Sequence, residues 1–201
     1  MSSSLARPPA DLSFAELFAT WLPDAFARAR AAGAKAPDVV VSVVLDGAGG
    51  GAWTLRVAGG ALTVSDGADA AALITLRQPV SDFRAAVWGE GNMGSLLPQQ
   101  LDLAAAITGE VKLPTAALQQ VKGTLNLDLP GFVGRTWKAA ITFGGAAEPS
   151  ATVTVDVPTL EELRSGALPP AQAFFAGRIA VTGDVPWLMQ IGMSFAAGGL
   201  M

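Results

Sequence analysis

The sequence predicts an α+β fold: a curved, mostly antiparallel sheet covered on one face by helices. Three observations predict it. Short β-branched runs are separated by glycine turns, proline-opened apolar stretches end at glycines, and the order of these strings recurs within the 201 residues.

The elements follow in order. From Asp11 to Gly33, Leu12, Phe14, Leu17, Phe18, Trp21 and Leu22 fall at mostly helical spacing, and an Ala-rich run with Arg28 and Arg30 follows Pro23. The proline gives either one helix broken near it or two short helices. Asp38 to Asp46 is β-branched and stops at Gly47 to Gly51, which marks a strand and a flexible hairpin tip. That glycine cluster is no phosphate-cradling loop, since no lysine follows at the required spacing and the next element is a strand. Ala52 to Val57 alternates Trp53, Leu55 and Val57 with Thr54 and Arg56, and the Gly59-Gly60 turn leads into Ala61 to Ser65. After Asp66-Gly67, Ala71 to Leu76 reads as another strand, and Pro79 opens a helix through Phe83, Val87 and Trp88 that ends at Gly89.

The segment Leu168 to Asp184 is the most distinctive. Pro169 and Pro170 stop the preceding helix, Phe174 and Phe175 add large apolar surface, and Arg178 to Thr182 form a strand ending at Gly183-Asp184. The string Ala173-Phe-Phe-Ala-Gly-Arg-Ile-Ala-Val-Thr-Gly-Asp184 resembles the closing signature of the sterol carrier protein type-2 family. That resemblance implies an N-terminal helix, a sheet with helices on one face, and an apolar tunnel between the layers. It covers about two thirds of the chain; residues 91–150 have no place in a single copy.

An internal repeat explains them. Trp53 to Gly89 and Trp137 to Gly166 each run from a tryptophan-led strand through Gly-Gly and an Ala-rich strand to a proline-initiated helix ending at Gly. Ala72 to Arg77 answers Ala151 to Asp156, and Leu97-Pro98 with Ile107 to Val111 answers Leu168-Pro169 with Val181 to Val185. The second copy lacks the Ala61 to Ser65 strand. The expected organisation is a loose leader over 1–10, a first half over 11–90 and a second half over 91–201, fused into one body, with Asn92 to Leu97 as the link and Met93 or Leu96 open to a membrane or partner. Any meander followed by a helix gives similar strings, so a non-duplicated fold stays open.

Composition narrows the chemistry. The chain has no His, Cys or Tyr, removing the commonest general base, the best thiol nucleophile and the phenolic acid. Asp66, Asp69 and Asp82 read as turn and helix-start residues, and Glu161-Glu162 as first-turn charges. The expectation is a non-enzyme without metal or cofactor. A net charge of −4 with scattered basic residues disfavours nucleic acid. Although 51% of residues are hydrophobic, no stretch reaches the about 20 apolar residues of a spanning helix. Met1 to Ala10 has no apolar run, so neither a secretory signal nor an anchor is expected there, and Gly199-Leu200-Met201 differs from the Ser-Lys-Leu peroxisomal address. A cytoplasmic protein, monomer or homodimer, is the expectation.

Candidate cavity-wall residues are Phe83, Trp88, Phe174, Phe175, Trp187, Leu188, Met189, Ile191, Met193 and Phe195, each equally readable as core. Arg178 is either a head-group contact or a solvated strand residue. The expected role is non-catalytic carriage of a fatty acyl, sterol-like or isoprenoid molecule, with transient membrane or partner-enzyme contact. The alternatives are an interaction module filled by its own side chains and an accessory module presenting lipid to an enzyme.

Overall fold

The computed structural model describes residues 8–31, 33, 36–89 and 115–197, with side chains described as far as Met193. The leader up to residue 7, the 92–97 link, the strings at 97–99 and 107–111, and the side chain of Phe195 lie outside the described residues.

Ser13 opens the first helix, α1 (Phe14–Glu16), with a capping box: its hydroxyl accepts from the Glu16 N–H, and the Glu16 carboxylate accepts from the Ser13 N–H. The Ser13 hydroxyl and N–H hold the Glu16 carboxyl below its ordinary pKa. A π-helical turn, Leu17–Trp21, then leads into α2 (Leu22–Ala31). The helical path therefore continues through Pro23 instead of breaking there. The wider turn just before the proline relieves the clash of its ring with the preceding turn and absorbs the missing N–H.

Eight strands form one mixed sheet in the order β3-β2-β1-β4-β6-β5-β7-β8. They are β1 (Val39–Asp46), β2 (Gly51–Ala58), β3 (Ala61–Asp66), β4 (Ile74–Pro79), β5 (Gly123–Phe132), β6 (Arg135–Phe143), β7 (Ser150–Val155) and β8 (Ile179–Gly183). Most pairings are antiparallel; β1–β4 and β5–β7 are parallel. Parallel pairing with β1 draws β4 three residues past the expected strand, while Ala71 and Ala72 turn on Asp69. The remaining helices among the described residues are α3 (Val80–Trp88), α4 (Thr115–Leu118), α5 (Val157–Ser165), α6 (Pro170–Phe175) and α7 (Val185–Ala197). Gly89 and Gly166 close α3 and α5 in the left-handed conformation.

The same pairing plan occurs twice. A hairpin (β1–β2, then β5–β6) is followed by a strand parallel to its first member (β4, then β7) and a helix (α3, then α5). Trp53 and Trp137 are each the third residue of their hairpin's second strand. β3 has no counterpart between β6 and β7, so the outer edge of β6 is free, and β4 pairs with it. That missing strand is what lets two small sheets become one.

Strand alternation gives the sheet two unlike faces. Val41, Leu55, Ile74, Phe143 and their neighbours two residues along turn one face to the helices. The other carries a row of hydroxyls in register, Ser65, Thr54, Ser42, Thr75, Thr142, Thr124 and Ser150. These hydroxyls tether the crossover loops. Ser42 and Thr54 pair at 3.1 Å, with Thr54 donating to the Gly67 carbonyl; Thr124 and Thr142 pair at 3.0 Å, with Thr124 donating to the Ala146 carbonyl.

Candidate functional site

On the helix-facing side the two halves pack differently. In the first, Val39, Val41, Val43, Leu45, Trp53, Leu55 and Val57 are all buried beneath Phe14, Leu17, Phe18, Leu22, Phe26 and Phe83. Phe18 stacks on Trp53 with ring centroids 4.5 Å apart, and Phe83 meets both Phe14 and Phe18 within 6 Å. This half is solid.

In the second half Trp137, Ala139, Ile141 and Phe143 of β6 are buried as well, but part of the same face on β5, β7 and β8 is only half-buried. Leu125, Leu127, Val153 and Val181, with Ile74 and Leu76 of β4, form a continuous apolar floor in strand register. One border is the cluster of Ala85, Trp137 and Val155 with Val157, Leu160 and Leu163 of α5. The other is the cluster of Leu118, Ile141, Phe143, Trp187 and Ile191. Leu76 and Leu127 belong to both borders. The floor thus lies between two helical banks, and its alternation with Asn126, Asp128 and Thr152 is the sequence signal that marks it.

The residues singled out from sequence separate into three groups. Trp187, Leu188 and Ile191 come together on the second bank. Trp187 is fixed there by donating its Nε1–H to the Lys122 carbonyl at 2.7 Å and its backbone N–H to Asp184 at 2.9 Å. Phe83 is in the first-half core, and Trp88 lies at its edge, against Phe14 and under the Arg84 guanidinium, with its Nε1–H on the Pro9 carbonyl. Phe174, Phe175, Met189 and Met193 are exposed.

Arg178 is committed within the protein. Its guanidinium makes two hydrogen bonds to the Glu162 carboxylate, at 2.6 and 3.0 Å, and a third to the Thr159 hydroxyl at 3.2 Å. This pairing ties the start of β8 to α5 and holds the Glu162 carboxyl below its usual range. Asp156 caps α5 by accepting from the Thr159 N–H at 2.8 Å, and hydrogen bonding to Thr159 lowers its pKa too.

The open face carries a shallow polar trough of about 330 Å³, lined by Asp46, Arg77, Asn126, Asp128, Lys138 and Thr152 among others. Its charges are paired: Arg77 with Asp46 at 2.7 Å, and Lys138 with Asp128 at 3.8 Å. Among the described residues, no group of three or more acidic side chains is placed to hold a metal. No described helix is long and apolar enough to cross a membrane.

The family match falls on the half with the accessible floor. Residues 103–195 match the SCP-2 sterol transfer family. The SCP-2 match takes in β5 to β8 and most of α7, so it contains Leu125, Leu127, Val153 and Val181, as well as the Ala173 to Asp184 string. Ile74 and Leu76 reach the floor from outside it. Among solved structures, the chain is similar to the sterol carrier protein domain 2 of Helicoverpa armigera, at 21% identity and a TM-score of 0.36, covering 54% of this chain and 89% of that one. It is also similar to apo sterol carrier protein 2 from Yarrowia lipolytica, at 14% identity and a TM-score of 0.33, covering 55% and 88%. No curated protein matches the chain.

Proposed function

We propose that the chain binds one hydrophobic small molecule, without catalysing its conversion, on the half-buried floor of the second half. The observation that carries this reading is a contrast between strands: the helix-facing residues of β1 and β2 are sealed by the protein's own aromatics, whereas Leu125, Leu127 and Val153 of the second half, with Leu76 of β4, keep accessible surface between helices. A ligand burying about 300 Å² there gains roughly 7 kcal/mol gross before the cost of immobilising it. The absence of His, Cys and Tyr supports binding over chemistry. The ligand classes that fit are acyl chains, sterol-like and isoprenoid molecules, because aliphatic walls select width and length. We read the two halves, 11–90 and 91–201, as degenerate copies in one body, the first having lost its cavity.

The sealed first half favours a second reading, an interaction module with a filled core throughout. Native mass spectrometry with organic extraction, followed by displacement of a fluorescent fatty acid, separates the two. One co-purifying lipid per chain, displaced by the probe, supports carriage or presentation. An apo mass with no probe binding supports the filled module.

A further inference from the structure

The segment between Arg164 and Arg178 has no role in either helical bank. Residues 165–177 carry no charge, and all but Leu168 and Ala173 are exposed. Leu168 and Ala173 pin the segment from beneath, at 9% and 0% exposure, while Phe174 and Phe175 project at 45% and 85%. The projection is ordered. Pro169 precedes α6 and Pro170 opens it, the Gly177 N–H returns to the Phe174 carbonyl at 3.0 Å, the Arg178 N–H to Ala173 at 2.9 Å, and the two phenyl rings meet edge-on at 5.8 Å.

We propose that 165–177 is a membrane-contact wedge, with Phe175 at its tip, that seats on zwitterionic phospholipid. The inference rests on this exposure and not on the contents of the cavity. The two rings leave roughly 200–300 Å² of aromatic surface free, well short of the about 800 Å² per partner that a stable protein interface buries. A lipid surface needs no such area, because a short uncharged projection partitions directly into the headgroup boundary, where aromatic side chains gather. The nearby charges select the lipid class. Asp156, Glu161 and Glu162 outnumber Arg164 and Arg178, and the Arg178 guanidinium is held by Glu162, so an anionic surface gains nothing.

The test is co-sedimentation of the full chain with sucrose-loaded phosphatidylcholine vesicles, with circular dichroism confirming the fold of each variant. Wild type should be half-bound at on the order of millimolar lipid, the weak reversible regime of a single short anchor. Phe174→Ser with Phe175→Ser should lower partitioning about tenfold or more, whereas Met189→Ser with Met193→Ser should leave it unchanged. If the double variant does not fold, Phe175→Ser alone carries the test, since its ring packs on little. Replacing a third of the lipid by phosphatidylglycerol should not strengthen binding. No vesicle binding by wild type, equal binding by the phenylalanine variant, or binding that needs phosphatidylglycerol overturns the wedge. Probe displacement without vesicles reads the cavity separately, so either proposal can fail alone.

Discussion

Trp187 shows how single residues place the second bank. Its indole lies against Gly123, whose φ of +128° few side chains adopt, and a Cβ at that position would run into the Pro149 carbonyl and the indole ring. Gly123→Ala is therefore expected to destabilise by about 2–4 kcal/mol, through backbone strain and overpacking together, measured by denaturant unfolding. At the other end of β8, Glu162 and Asp156 contribute to the loss of stability in acid. Their pKa values are depressed in the folded chain, by Arg178 and by Thr159 respectively. Their contribution is then complete above the ordinary carboxylate range and disappears as pH falls through the depressed values. Glu162→Gln should lower the thermal midpoint at pH 7 and approach wild type progressively as the pH falls below the ordinary carboxylate range. Parallel melting curves at every pH would refute the link.

Elements are joined across the halves by one buried carboxylate. Asp82, in the first turn of α3, accepts from the Lys138 N–H at 2.8 Å, pairs with Arg135, and supplies the backbone carbonyl that the Trp137 Nε1–H reaches at 2.8 Å. With 2% of its surface exposed, its loss strands the Lys138 N–H and removes the carboxylate partner of Arg135, whose exposed guanidinium keeps the Ser81 carbonyl. Asp82→Ala is expected to cost about 2–4 kcal/mol and Asp82→Asn distinctly less, read as denaturant midpoints. From sequence, Asp82 is only a helix-start residue, because its partners lie more than fifty positions away. Most strands and the α3 and α5 termini were legible, since alternation, proline and glycine act locally, but β5, which carries Leu125 and Leu127, was not read from the sequence and β4 was expected three residues early. The faces of α7 were not legible either. Its described residues are uncharged, so nothing marks Trp187 and Ile191 as inward and Met189 and Met193 as outward. Likewise Phe174-Phe175 reads as cavity wall or core because both rings are apolar, yet Ala173 takes the buried position and both rings are exposed.

At the scale of the whole molecule, one sheet carries two outcomes of the same pairing plan. In the first half, aromatics from α1, the π turn, α2 and α3 fill the helix-facing layer; in the second, the helical banks stand apart over Leu125, Leu127 and Val153. Equivalent enlargements should then act oppositely. Val43, with no exposed surface, has nowhere to place extra atoms, and Val43→Phe should lose about 1–3 kcal/mol or more to overpacking. Leu127 borders accessible space, so Leu127→Phe should leave apo stability within about 1 kcal/mol while weakening fatty-acid probe binding about tenfold. A ligand that binds only the folded state raises the melting temperature with its concentration. The Leu127 variant should lose that rise, and the Val43 variant should keep it from a lower baseline. If the Val43 change alone abolishes probe binding, the ligand lies in the first half and the contrast between halves has been assigned the wrong way round.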